Sequence, residues 1–215
     1  MQAHKLQVQR TAHYFTLGTP GDHIENVWFV IHGYGQLAKT FIHNFSDLDD
    51  GKTLVVAPTG LNYFYWDRFT GNPVATWMTK ENRLDEIADY CNYLQQLFNL
   101  YISQLPDNVT INILGFSQGV QTTMRFLHAK QPYFHRLILW AGILPDDLDL
   151  TPQRDYFAAK DIHFIYGTED EFIKEKYVKM QLELVEKNEL EVEVHTFEGK
   201  HKVKREALLE LNGKF

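Results

Sequence analysis

The stretch Val109-Thr110-Ile111-Asn112-Ile113-Leu114 followed by Gly115-Phe116-Ser117-Gln118-Gly119 constrains this chain more than any other. It reads as a short buried strand running into a Gly-x-Ser-x-Gly turn. Gln118 to Gln131 then continues as a helix, stopped by Pro132. Strand, sharp turn and helix in direct succession hold a serine hydroxyl out at the tip of the turn. The serine backbone is forced toward positive φ, a strain of roughly 1–3 kcal/mol. Its neighbours two residues away must lack side chains, because strand and helix backbones pass very close there. With three serines and 13 glycines in the chain, chance predicts about 0.01 such pentapeptides. A glycine-rich turn with an incidental serine is therefore the poorer reading.

Strand-like and helix-like runs alternate on either side of this turn. The expected strands are His13–Leu17, Val27–Ile31, Thr53–Ala57, Val109–Leu114, Arg136–Ala141, Ile162–Tyr166 and Glu191–Thr196. The expected helices are Leu37–Phe45, Asn82–Leu105, Gln118–Gln131, Phe172–Lys187 and Lys202–Leu211. Runs such as Trp28-Phe29-Val30-Ile31 and Leu137-Ile138-Leu139-Trp140 are apolar on both faces, as strands covered by helices on each side must be. The pattern predicts one α/β domain over residues 1–215, with a mostly parallel sheet of about seven strands and helices on both faces. Residues 58–80 read as a long irregular loop rich in Tyr63, Phe64, Tyr65, Trp66, Phe69 and Trp77. Loops of that length are often functional.

Composition narrows the chemistry. A net charge of −7 over 215 residues argues against nucleic acid and against docking on anionic lipid. Cys91, the single cysteine, excludes an intrachain disulfide and suits a reducing compartment, so a cytoplasmic location is expected. It also falls on the helical stripe Leu84, Ile87, Cys91, Leu94, Phe98, where a packing thiol is expected rather than a nucleophile. The longest apolar run, Leu137 to Leu144, is too short to span a bilayer. No His-Glu-x-x-His, paired cysteines or phosphate loop occurs, so neither a metal nor a cofactor is expected.

A serine nucleophile needs a base, and position must choose it among ten histidines. His201 follows the last strand, at the rim where carboxyl strand ends gather. His163 and His195 lie within strands and read as packed or solvated. The base in turn needs a carboxylate to fix its tautomer. Gly167-Thr168-Glu169-Asp170 ends the preceding strand, and Asp170 is the better placed of its two acids. The competing role for an acid here is to cap the next helix. Oxyanion donors are expected from the backbone N–H of Gln118, the residue after the nucleophile, and of Tyr34 in Ile31-His32-Gly33-Tyr34-Gly35. His32 is expected to brace that loop. Trp66 and Trp77 are the candidates for a substrate pocket, with packing of the loop onto the sheet as the alternative.

Taken together, His32-Gly33-Tyr34-Gly35, Gly115-Phe116-Ser117-Gln118-Gly119, Gly167-Thr168-Glu169-Asp170 and Gly199-Lys200-His201 resemble the small serine esterases of the α/β-hydrolase superfamily. The similarity is greatest to the phospholipase/carboxylesterase family, which includes the acyl-protein thioesterases, and it runs from about Val27 to the end. Leu114 and Val120 depart from that branch, where glycines are common. The resemblance implies no large lid domain and hydrolysis of a small-molecule carboxylic ester through Ser117, His201 and Asp170. A thioesterase, a lysophospholipase and a non-catalytic binding member of the superfamily are the alternatives.

Overall fold

A computed structural model of the chain describes residues 1–68 and 70–213. Phe69, counted above among the loop aromatics, lies outside the described residues. Seven strands form the main sheet: β1 (Tyr14–Leu17), β2 (Asn26–Ile31), β3 (Thr53–Pro58), then β6 (Thr110–Phe116), β7 (Arg136–Trp140), β8 (Asp161–Gly167) and β9 (Glu193–Phe197). The spatial order is β1-β3-β2-β6-β7-β8-β9. Among the described residues of this sheet, only the edge strand β1 runs antiparallel to its neighbour, and the other pairings are parallel. Parallel neighbours need crossover connections, and these carry α1 (Ala38–Phe41), α2 (Arg83–Ile102), α3 (Gln118–Lys130), α4 (Arg154–Ala158) and α5 (Glu175–Lys187), with α6 (Arg205–Asn212) after the last strand.

Central strands are buried residue after residue rather than alternately: all of β3, all of β7, and Val27 to Ile31 of β2. Both sheet faces are therefore covered, as the apolar runs predict. The helices pay for that cover with one stripe each. In α2 the buried residues Tyr90, Cys91, Leu94, Leu97, Phe98 and Tyr101 recur at three- and four-residue steps. No described helix is long and apolar enough to cross a membrane.

Three parts differ from the expected pattern. The stretch 58–80 is not irregular throughout: β4 (Asn62–Tyr65) and β5 (Pro73–Thr76) pair antiparallel in a small separate ribbon. Its aromatic residues alternate in exposure, with Tyr63 and Tyr65 outward. The segment Thr151–Gln153 forms a single 3-10 turn leading into α4, a five-residue helix too short to leave a periodic signal. The helix expected from Phe172 begins instead at Glu175, because Asp170 captures the N–H groups of residues 172 and 173.

Candidate active site

Ser117 stands between β6 and α3 with φ 54° and ψ −118°, the strained conformation the turn demands. Its glycines have direct steric causes. A Cβ on Gly119 would lie 2.2 Å from the Ile31 carbonyl oxygen, and one on Gly115 would lie 2.5 Å from the Gly119 oxygen. The Ser117 N–H donates to the Trp140 oxygen at 2.8 Å, tying the turn to β7.

His201 reaches this turn from the segment after β9. Its Nε2 lies 3.0 Å from Ser117 Oγ, and its Nδ1 lies 2.8 Å from Asp170 Oδ2. The acceptor carboxylate beside Nδ1 places the ring proton there and leaves Nε2 facing the hydroxyl as an acceptor. The Asp170 side chain is fully buried and its two oxygens divide their work. Oδ2 serves the imidazole, while Oδ1 accepts the Phe172 and Ile173 N–H groups at 2.8 and 3.1 Å. The cap and the histidine partner are one side chain. Glu169 is exposed.

Backbone contacts hold the two loops together. Glu169 N–H donates to the Gly199 oxygen at 2.9 Å, and Thr168 N–H to the Phe197 oxygen at 2.9 Å. The imidazole is also packed between two rings, Phe116 at 4.9 Å and Phe172 at 4.8 Å between centroids. Sequence reasoning did not single out either ring; their signal is adjacency to Ser117 and Asp170. Beyond His201, the Trp140 indole N–H donates to the Lys202 oxygen at 3.0 Å.

The loop after β2 lies against the same serine: a Cβ on Gly33 would meet Ser117 Cβ at 3.1 Å. Gly33 N–H is taken by Gln36 Oε1 at 2.8 Å and Gly35 N–H by the Ala75 oxygen at 2.9 Å, which brackets the Tyr34 N–H. Ala75 N–H in turn donates to the Gln36 oxygen at 3.0 Å, so this loop is stapled to β5. Gln118, which begins α3, adds a second staple through its side chain. Its Oε1 accepts from Thr76 Oγ1 and Trp77 N–H, and its Nε2 donates to the Met78 oxygen.

His32 braces the loop, as expected. Its Nε2 accepts the Gly60 N–H at 3.0 Å, so the proton sits on Nδ1, which donates to the Gly33 oxygen at 2.7 Å. Burial lowers its pKa to about 4, against a smaller opposing effect of the Gly33 bond, and keeps it neutral.

The two tryptophans separate. Trp66 is 63 % exposed and lies over Gly35, with Tyr34 and Phe64 as ring neighbours at 5.9 and 6.2 Å. Trp77 is fully buried, packs against the His32 ring at 5.1 Å with a 36° tilt and donates its indole N–H to the His32 oxygen at 2.9 Å. That placement corrects its assignment to a pocket wall: its ring has no face left for a ligand and packs the loop onto the sheet. Cys91 is buried, and burial pushes its thiol up to about 12, as a packing residue requires.

Residues 13–212 match the model of the family described as phospholipase/carboxylesterase. The chain belongs to that family. Among solved structures it is similar to Zea mays acyl-protein thioesterase 2, at 16% identity and a TM-score of 0.72, covering 95% of this chain and 97% of that one. It is also similar to the Bacillus cereus carboxylesterase, at 15% identity and a TM-score of 0.65, covering 95% of each chain. Esterase PE8 is a third, at 16% identity and a TM-score of 0.69, covering 95% of this chain and 98% of that one. Identities this low establish the shared fold, the α/β-hydrolase arrangement expected of a phospholipase/carboxylesterase chain. No curated protein matches the sequence significantly.

Proposed function

We propose that this family member hydrolyses small carboxylic esters through a covalent acyl-enzyme on Ser117. The observation that carries the reading is the relay of contacts Ser117 Oγ to His201 Nε2 at 3.0 Å and His201 Nδ1 to Asp170 Oδ2 at 2.8 Å. His201 Nε2 takes the hydroxyl proton as Oγ bonds to the ester carbonyl carbon, and the Nδ1 proton stays on the ring, held by Asp170. The negative oxygen that forms is stabilised by the Gln118 and Tyr34 backbone N–H groups, each worth about 2.7–4 kcal/mol in sites of this kind. The C–O bond to the alcohol breaks, and the alcohol leaves with the proton from Nε2. Water then attacks the acyl carbon, gives its proton to Nε2, and Ser117 regains a proton as the acid departs.

The exposed rings of Tyr34, next to Gly33 in the chain, and of Trp66, lying over Gly35, offer an apolar surface for the acyl or alcohol group. We place this activity in the cytoplasm, a reading supported by the single buried cysteine.

A fluorophosphonate probe is expected to label the protein at one equivalent, with labelling and ester hydrolysis both lost in Ser117→Ala. Labelling that persists in that variant refutes the reading. Oxygen esters, thioesters and lysophospholipids of matched acyl length, compared by kcat/KM, separate an esterase from a thioesterase or lysophospholipase using the same site.

A further inference from the structure

Away from Ser117, the edge of the sheet gathers a second set of chemically able side chains. In the parallel pairing of β8 with β9, His163 is the register partner of Glu193, and Ile165 is that of His195. Alternation along both strands therefore puts His163, Glu193 and His195 on one face as close neighbours. Their ligating atoms converge. His163 Nδ1 lies 3.0 Å from His195 Nε2 and 3.6 Å from Glu193 Oε2, and His195 Nε2 lies 3.5 Å from Glu193 Oε1. One ligand atom from each residue falls within 4.8 Å of the others.

We propose that His163, His195 and Glu193 form a binding site for a divalent transition-metal ion of the zinc class, clipping the edge strand β9 to β8. Two imidazoles and a carboxylate are ligands that Zn²⁺ accepts, with a fourth position left for water. Bonds of ~2.1 Å in a tetrahedral site put ligand atoms about 3.4 Å apart, and an octahedral face would bring them to about 3.0 Å. The two imidazole nitrogens are 3.0 Å apart and each lies 3.5 or 3.6 Å from a different Glu193 oxygen, so Glu193, exposed at its tip, must turn a single oxygen to face both rings.

The surroundings of His163 supply a second, independent argument. This ring is fully buried, and Asp161 Oδ1 lies 2.9 Å from its Nε2, outside the angle of a hydrogen bond but next to the nitrogen. Asp161 is itself fixed by Arg136, whose Nε donates to Oδ2 at 3.0 Å. A carboxylate behind a ligating histidine orients the ring and raises its basicity, as metal ligands require. In the tautomer with its proton on Nε2, beside Asp161, the His163 Nδ1 lone pair points toward His195 and Glu193.

The same contacts admit a plain hydrogen bond in which His195 Nε2–H donates to His163 Nδ1. Metal binding then moves the His195 proton from Nε2 to Nδ1 through solvent, and both rings stay neutral. No pattern in the sequence announces such a site, because the two histidines come from different strands 32 residues apart. The proposal is independent of the esterase reading: the residues lie on the bodies of β8 and β9, whereas Asp170 and His201 lie beyond their carboxyl ends.

The test is titration of the chelator-stripped full chain with Co²⁺, followed by displacement with Zn²⁺. We expect one ion per chain with the intense visible absorption of tetrahedral cobalt, lost in His195→Ala and in the surface variant Glu193→Gln. Asp161→Asn should weaken binding about 10–100-fold. His201→Ala should bind as the wild type does, which separates this site from the Ser117 relay. Absence of saturable one-to-one binding overturns the proposal, as does binding undiminished in both His195→Ala and Glu193→Gln; a hydrogen-bonded histidine pair then remains.

Discussion

His32 makes a testable contribution to acid sensitivity. Burial holds its folded-state pKa at about 4, against 6.5 for a free imidazole. Between those values the unfolded chain binds a proton that the folded chain refuses, so stability rises with pH across that window. This contribution is complete above about pH 6.5 and is lost as the pH falls toward 4. At 1.36 kcal/mol per pKa unit the total is roughly 3 kcal/mol. The perturbation is His32→Gln, whose amide oxygen can still accept the Gly60 N–H but does not titrate. Urea unfolding of both proteins at steps between about pH 7 and pH 4 gives the stability gap between them. Other titrating groups cancel in that gap, which should shrink by roughly 3 kcal/mol toward the acid end. A gap that stays constant with pH refutes the argument. Nitrogen-15 spectra of the wild type offer a direct check: the His32 ring should keep its neutral Nδ1–H pattern below the pH at which the exposed histidines protonate.

Cys91, with its thiol pushed up to about 12 by burial, should resist a thiol reagent such as dithionitrobenzoate at neutral pH and react only at the rate of unfolding. Ser117→Gly should abolish probe labelling yet raise stability by about 1 kcal/mol, since it relieves φ strain at a modest entropic cost; a urea midpoint unchanged or lowered counts against the strain. Trp77→Ala should destabilise by about 3–5 kcal/mol, because it empties a fully buried site and removes the donor to the His32 oxygen. Trp66→Ala should leave the urea midpoint within about 0.5 kcal/mol and change kcat/KM across acyl lengths, and a change confined to stability would remove Trp66 from the pocket.

The sheet was legible because its strands are buried on both faces, so continuous apolar runs such as Leu137 to Trp140 survive in the sequence. The positions of Ser117, Asp170 and His201 at carboxyl strand ends were legible for the same reason: each follows a strand that could be recognised. The ribbon of β4 and β5 was not, because each strand is four residues long and pairs outside the main sheet. Trp77 illustrates a different limit. A tryptophan in a long loop carries no local sign of whether it faces solvent or the core, and here the His32 ring decided it. The cluster on β8 and β9 escaped because residues far apart in the chain meet only through strand register.

The stapling of β5 to the loop after β2 has a consequence for how such a protein can change its preferences. Gly35 N–H donates to the Ala75 oxygen and Ala75 N–H to the Gln36 oxygen, and the Gln118 amide grips the stretch just beyond. The aromatic ribbon and the Tyr34 amide are thus parts of one mechanical unit. On the proposed esterase reading, a mutation that reshapes the ribbon to admit a new ester should also shift the Tyr34 amide, so selectivity and turnover are expected to vary together.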